Sequence, residues 1–188
     1  MRANKKDELI SKALVVFYEN GFHATGMDRL VVETGISKTS MYKHFKTKND
    51  LIEAVLALRD ANFRSWLVGE IEDRAPDPIG RLCVLFDVLG EWFETEEFKG
   101  CMFIRAASEF QDCNHTARKQ SSKHKALVHD YVASLASEAG FSDSEMIARQ
   151  IMLLKEGAII AAYVMNSPTA SSDAKTAAQN LLGVPAAA

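Results

Sequence analysis

Apolar residues recur three or four positions apart along most of the chain, and no run alternates apolar and polar residues at every second position. That periodicity predicts amphipathic helices and no sheet. The prolines agree. They stand at positions 76, 78, 168 and 185, and an interior proline costs a helix about 3 kcal/mol. A first helix is expected over residues 5–20, with Leu9, Ile10, Ala13, Leu14 and Phe17 on one face and Asn20 with Gly21 as its stop. Thr25 and Asp28 have capping-box spacing for a short second helix that buries Met27, Leu30 and Val31 and ends at Gly35. Ser37 opens a third helix with Met41 and Phe45 one turn apart, and Thr47 with Asp50 caps a fourth that runs to about residue 72. Asp77 before Pro78 reads as an N-cap followed by proline at the first helical position. Helices are expected at about 78–96, 101–112, 115–139, 145–166 and 172–182, the 145–166 helix capped from Ser142 and Glu145. The tail GVPAAA is expected to fray. The fold class is therefore all-α, with about nine helices.

Two short helices joined at Gly35 after a longer one have the form of a helix-turn-helix, the glycine suiting the tight turn. With Ile36, Met41 and Phe45 turned inward, Lys38, Thr39, Tyr42 and Lys43 face outward, and Ser40 and His44 more obliquely. Hydroxyls and amines on the first two turns of a helix suit the DNA major groove: short donors and acceptors read base edges while lysine and tyrosine hold phosphates. Lys48, opening the next helix, and Thr25, opening the second, are candidate phosphate contacts, because helix N-termini favour anions. Singly, each residue also has a structural reading: Ser37 as an N-cap, Tyr42 as a surface aromatic, the lysines as a solvated face.

Charge sharpens this picture. Residues 1–50 carry nine Lys/Arg against six Asp/Glu, whereas the rest of the chain is acidic and the whole has a net charge of −3. A basic head on an acidic body suits a polyanionic partner. Length and composition, 188 residues at 47% hydrophobic and 25% charged, are those of an ordinary globular protein. No secretory leader is expected, and the longest apolar run, 157–165, is short of the ~20 residues a bilayer requires. Three cysteines without paired spacing point to a reducing, cytoplasmic setting. No cofactor fingerprint and no metal spacing is present, so neither is expected.

The stretch GFHATGMDRLVVETGISKTSMYKHFKTKNDLIEAVL, residues 21–56, resembles the TetR family of bacterial one-component regulators. The matching positions are Gly21, Phe22, Thr25, Gly35, Ile36, Ser37, Met41, Tyr42, His44, Phe45, Lys48 and Leu51. The resemblance is close over residues 5–60. Thr39 departs from it, many members having glycine there, so no operator sequence transfers directly. The resemblance implies a DNA-binding domain over residues 1–47 and a helical effector-binding and dimerisation domain over 48–188. It also implies a homodimer formed through the last two long helices, and repression of a palindromic operator relieved by a small molecule.

The downstream sequence has features of its own. The 145–166 helix is apolar most of the way round, as expected of a helix inside a bundle. Ile151, Leu154, Gly157, Ala158 and Ala161 are the candidate dimer contacts, with packing inside the subunit as the alternative. Phe63, Trp66, Phe86, Phe93 and Tyr163 are candidate linings of an effector pocket, though core packing explains each of them equally well. Arg105 and Glu109, one turn apart, can pair with each other or polarise such a pocket. Cys101, at an expected helix start, is a candidate redox or electrophile sensor or a small buried hydrophobe. A thiol-dependent enzyme using Cys101 with His115 or His124 is the rival from another class; no base is placed beside the thiol in sequence. A sequence-indifferent DNA-binding protein is a second rival.

Overall fold

The computed structural model describes residues 4–184. The first three and last four residues, including most of the tail expected to fray, lie outside the described residues. Among the described residues there are nine α-helices and no strand: α1 (Lys5–Asn20), α2 (Met27–Thr34), α3 (Lys38–His44), α4 (Lys48–Arg74), α5 (Pro78–Phe93), α6 (Met102–Glu109), α7 (Thr116–Glu138), α8 (Ser144–Met165) and α9 (Ala170–Leu182).

Local chemistry sets the ends. Ser37 accepts from the Ser40 N–H, and Asp77 accepts from the Gly80 N–H with Pro78 at the first helical position. Thr47 and Asp50 form a reciprocal capping box at 3.1 and 2.9 Å. Three expectations are corrected. The N-cap of α2 is Gly26, because the Thr25 hydroxyl is buried and donates back to the Gly21 carbonyl at 2.6 Å. Asp143, rather than Ser142, caps α8 by accepting from the Met146 N–H. Helix α6 stops at Glu109, three residues early, and an Asp112-centred turn follows, closed by the Asn114 and His115 N–H groups.

The described chain divides into two compact units: residues up to Phe63 with Cys101–His124, and Arg64–Gly100 with residues from Lys125 onward. In the first, Leu9, Phe17, Phe22, Leu30, Met41, Leu51 and Ile52 make one core with Met102, Phe103, Ala106 and Phe110. Phe22 bridges Phe17 and Phe110, with ring centroids 5.4 and 5.9 Å away. His124 is buried in this unit. Its Nδ1 lies 2.7 Å from Asp60 Oδ1, and its ring stacks on Phe103 at 3.8 Å. Met41 is the fully buried anchor of α3. Met41→Ala is expected to cost about 2–5 kcal/mol, read as a lower urea midpoint at an unchanged slope.

In the second unit α5, α8 and α9 pack against one another. Leu85, Phe86 and Leu89 of α5 are buried, as are Ala174 and Ala178 of α9, and Lys175 of α9 donates to Asp87 of α5 at 2.6 Å. Lys155 is buried in mid-α8, and its ammonium group donates to Glu156, which also accepts from Lys125 of α7 at 2.6 Å. Burial raises the Glu156 pKa, but Lys155 and then Lys125 outweigh it and hold the carboxyl below its ordinary value. An aromatic chain runs Trp66, Trp92, Phe98, Tyr163 with centroid spacings of 6.4, 4.8 and 6.1 Å, and Phe93 lies 5.0 Å from Phe98.

Candidate nucleic-acid interface

Gly35 makes the turn between α2 and α3 with φ +69°, and its N–H bonds to the Val31 carbonyl. Thr34 locks the corner: its hydroxyl donates to the Leu30 carbonyl and accepts from the Ile36 N–H, while Lys12 of α1 donates to the Thr34 carbonyl at 3.0 Å. With the turn fixed, Met41 and Phe45 are buried and Ile36 is half-buried. That leaves Lys38, Thr39, Tyr42 and Lys43 exposed on one side of α3, with Ser40 and His44 half-buried at its flanks. Ser37 is exposed but its hydroxyl is used as the cap. Lys6 of α1 stands 5.4 Å from the Phe45 ring, so another cation sits beside the α3 C-terminus. Lys48 is half-buried; desolvation lowers its pKa, and the nearby Glu109 carboxylate partly offsets this. The position of Thr25 precedes the N-terminus of α2. Its side chain is sequestered, so a phosphate contact at that position would have to come from backbone rather than hydroxyl.

Arg105 and Glu109 do not pair with each other. Glu109 accepts from two successive backbone N–H groups, Phe22 at 3.1 Å and His23 at 2.5 Å, and Arg105 donates to the Tyr18 carbonyl at 2.5 Å. Helix α6 thus grips the carbonyl end of α1 and the amides just beyond it. Gly21 makes the close approach possible: its φ is +82°, and a Cβ there would meet Glu109 Oε1 at 2.9 Å. This polar clamp was missed in the sequence, because partners 86 and 87 residues apart leave no local spacing.

The other candidates divide between the two units. Phe63 and Cys101 belong to the first, where Phe63 packs edge-on to His124 at 5.6 Å and Cys101 is the half-buried N-cap of α6, without a side-chain cap bond. Trp66, Phe93 and Tyr163 share the aromatic chain of the second, whereas Phe86 is fully buried in its core. Phe93 also lines a cleft of about 310 Å³ with Gly90, Glu94, Ala162, Asn166 and Ser171. All three cysteines are free thiols. His115 is stacked on Phe110 at 4.2 Å and accepts from the Ala117 N–H, so neither histidine of the enzyme alternative stands uncommitted. No cluster of three metal-ligating side chains occurs among the described residues, and no described helix is long and apolar enough to cross a membrane.

On α8 the predicted contacts separate. Ile151 and Ala158 are buried inside the unit, Leu154 and Ala161 are half-buried, and Gly157 is exposed. The outward stripe is Met146, Leu153, Gly157, Ile160 and Val164, in which Leu153 and Val164 are 73% and 65% exposed. Gly157 is the expected contact that stands on this stripe; on a helix apolar all round the pattern does not say which face meets the core.

A tri-helical head with a left-handed glycine turn and a polar outward face on its third helix is a helix-turn-helix DNA-binding fold. Residues 9–55 match the family model described as "Bacterial regulatory proteins, tetR family". The HTH-type transcriptional repressor KstR2 of Mycolicibacterium smegmatis is 38% identical over 113 residues, covering 58% of this chain and about half, 53%, of that repressor's length. Two solved structures are similar across nearly the whole chain. SCO4454, a TetR-family transcriptional regulator from Streptomyces coelicolor, has a TM-score of 0.87 at 26% identity, covering 94% of this chain and 87% of its own. A putative TetR transcriptional regulator, sav143, from Streptomyces avermitilis has a TM-score of 0.83 at 25% identity, covering 97% of this chain and 100% of its own. The family match thus lies in the N-terminal head, residues 9–55, and the all-α fold of the two Streptomyces regulators extends over nearly the whole chain.

Proposed function

We propose that this protein is a sequence-specific transcriptional regulator, a repressor that leaves a palindromic operator when a small molecule binds outside its DNA-binding head. The observation that carries the reading is the outward face of α3. Lys38, Thr39, Tyr42 and Lys43 are exposed while Met41 and Phe45 tie the same helix to the core. In this reading residues 1–47 are the head and 48–188 the effector and dimerisation region. Thr39, Ser40, Lys38 and Lys43 read bases; Tyr42, His44 and Lys48 hold phosphates. The chain works as a homodimer in the cytoplasm, with half-sites about one turn of DNA apart or a multiple of it.

The effector site is assigned to the aromatic chain of the second unit, Trp66, Phe93 and Tyr163, which offers flat apolar surface beside the cleft at Phe93. Binding there releases DNA only by as much as the effector prefers the non-binding conformation. Dimerisation is assigned to the α8 stripe, whose contiguous apolar residues make an exposed face of the kind that marks an interface. Leu153→Arg is therefore expected to yield monomers at micromolar concentration in sedimentation, and to weaken operator binding at least tenfold through lost bivalency. Operator binding followed against salt and sequence tests the function. A steep salt dependence with strong sequence preference supports it; equal affinity for unrelated duplexes overturns it.

A further inference from the structure

The outward face of α3 carries an ion pair that DNA reading alone does not require. Lys38 Nζ lies 2.8 Å from Asp28 Oδ1, both side chains being exposed, the carboxylate at 89%. Asp28 stands in the first turn of α2, ten residues before Lys38, and the ion pair sets its carboxylate beside the first residue of α3. A bare carboxylate there repels phosphates and works against any DNA-binding head. Its value lies in what it does to the lysine. An ammonium group on a flexible stem is a point charge that binds any phosphate it reaches, and phosphate contacts carry no sequence information.

Resting on the DNA-binding reading above, we infer that Asp28 is a specificity-determining residue, which holds the Lys38 ammonium group at the start of α3 for a base edge and away from the phosphates. The Asp28 hydrogen bond raises the Lys38 pKa, so the ammonium group stays charged while tethered. The nearby Arg29–Glu33 pair lies within one helix and has no tie to α3, so it serves as a charge-matched comparison.

The test uses the full-length dimer and two duplexes, the site enriched from a random pool by the wild type and a scrambled version of it. Asp28→Asn, at an exposed position, is expected to bind the scrambled duplex about tenfold more tightly. Its log–log salt slope steepens by about one phosphate contact per head, and its preference for the enriched site falls about tenfold. Glu33→Gln removes the same charge and is expected to leave preference and slope near wild type. In a Lys38→Gln background, Asp28→Asn is expected to change neither preference nor slope, because there is no ammonium group left to misdirect. The inference is overturned if Asp28→Asn shifts both duplexes by one common factor, if Glu33→Gln reproduces its effect, or if the effect survives in Lys38→Gln. A wild type that enriches no site overturns the DNA-reading function together with the inference; specific wild-type binding with an indifferent Asp28→Asn overturns the inference alone.

Discussion

Glu109→Ala is expected to lower the stability of the protein by about 2–4 kcal/mol, because it strips two backbone N–H groups of a charged acceptor. The Phe22 N–H is partly buried and finds no ready substitute, whereas the His23 N–H is exposed and partly recovers with water. Glu109→Gln keeps one carbonyl oxygen and is expected to lose about half as much. Gly21→Ala attacks the same contact from the other side. At φ +82° and ψ 168° the backbone of Gly21 lies in a region essentially reserved for glycine, so a side chain there costs about 1–3 kcal/mol, and its Cβ would stand 2.9 Å from the Glu109 carboxylate. Urea unfolding of the full chain reads each effect. The two substitutions should be less than additive when combined, since each breaks the same clamp. The clamp fixes the loop that leads into α2, so both variants should also bind DNA more weakly than their stability alone accounts for.

The Tyr42→Ala, Lys43→Ala double variant is expected to weaken operator binding about 30- to 1,000-fold at unchanged stability, through about 1–2 kcal/mol per head across two heads. Both side chains are exposed, so the urea midpoint should move little. Lys43→Ala alone, at a base-reading position, should narrow the preference for the operator over other duplexes about tenfold, whereas Tyr42→Phe, which loses a phosphate-holding hydroxyl, should weaken all duplexes alike and leave the salt slope intact. Thr39→Ala is the complementary change. It deletes a hydroxyl that can meet a base edge and should alter which sequence is preferred more than how strongly DNA is held.

The head was largely legible in the sequence because its determinants are local. Gly35 as a left-handed stop, Ser37 as a cap, Met41 and Phe45 one turn apart, and the Thr47–Asp50 box each lie within a few residues of what they fix. Thr25 misled because a hydroxyl three residues before an acid satisfies capping spacing, yet the Gly21 carbonyl, four residues back, claimed it. Arg105 and Glu109 misled for the opposite reason: their real partners are backbone atoms of α1 and the turn beyond it, which no spacing rule reaches. On α8, Ile151 and Ala158 could not be told from Leu153 and Ile160 until packing assigned the faces. The Asp28–Lys38 pair joins two helices across the turn, and it became visible only once Gly35 had folded one onto the other.

If α3 reads DNA sequence from a symmetric dimer, selection from a pool of random duplexes at near-physiological salt will show it. The wild type is expected to enrich one two-fold symmetric motif, its half-sites separated by about one helical turn or a multiple, and the Tyr42→Ala, Lys43→Ala variant to lose that enrichment. A pool left without a motif, or a motif that the variant enriches as strongly as the wild type, would contradict it.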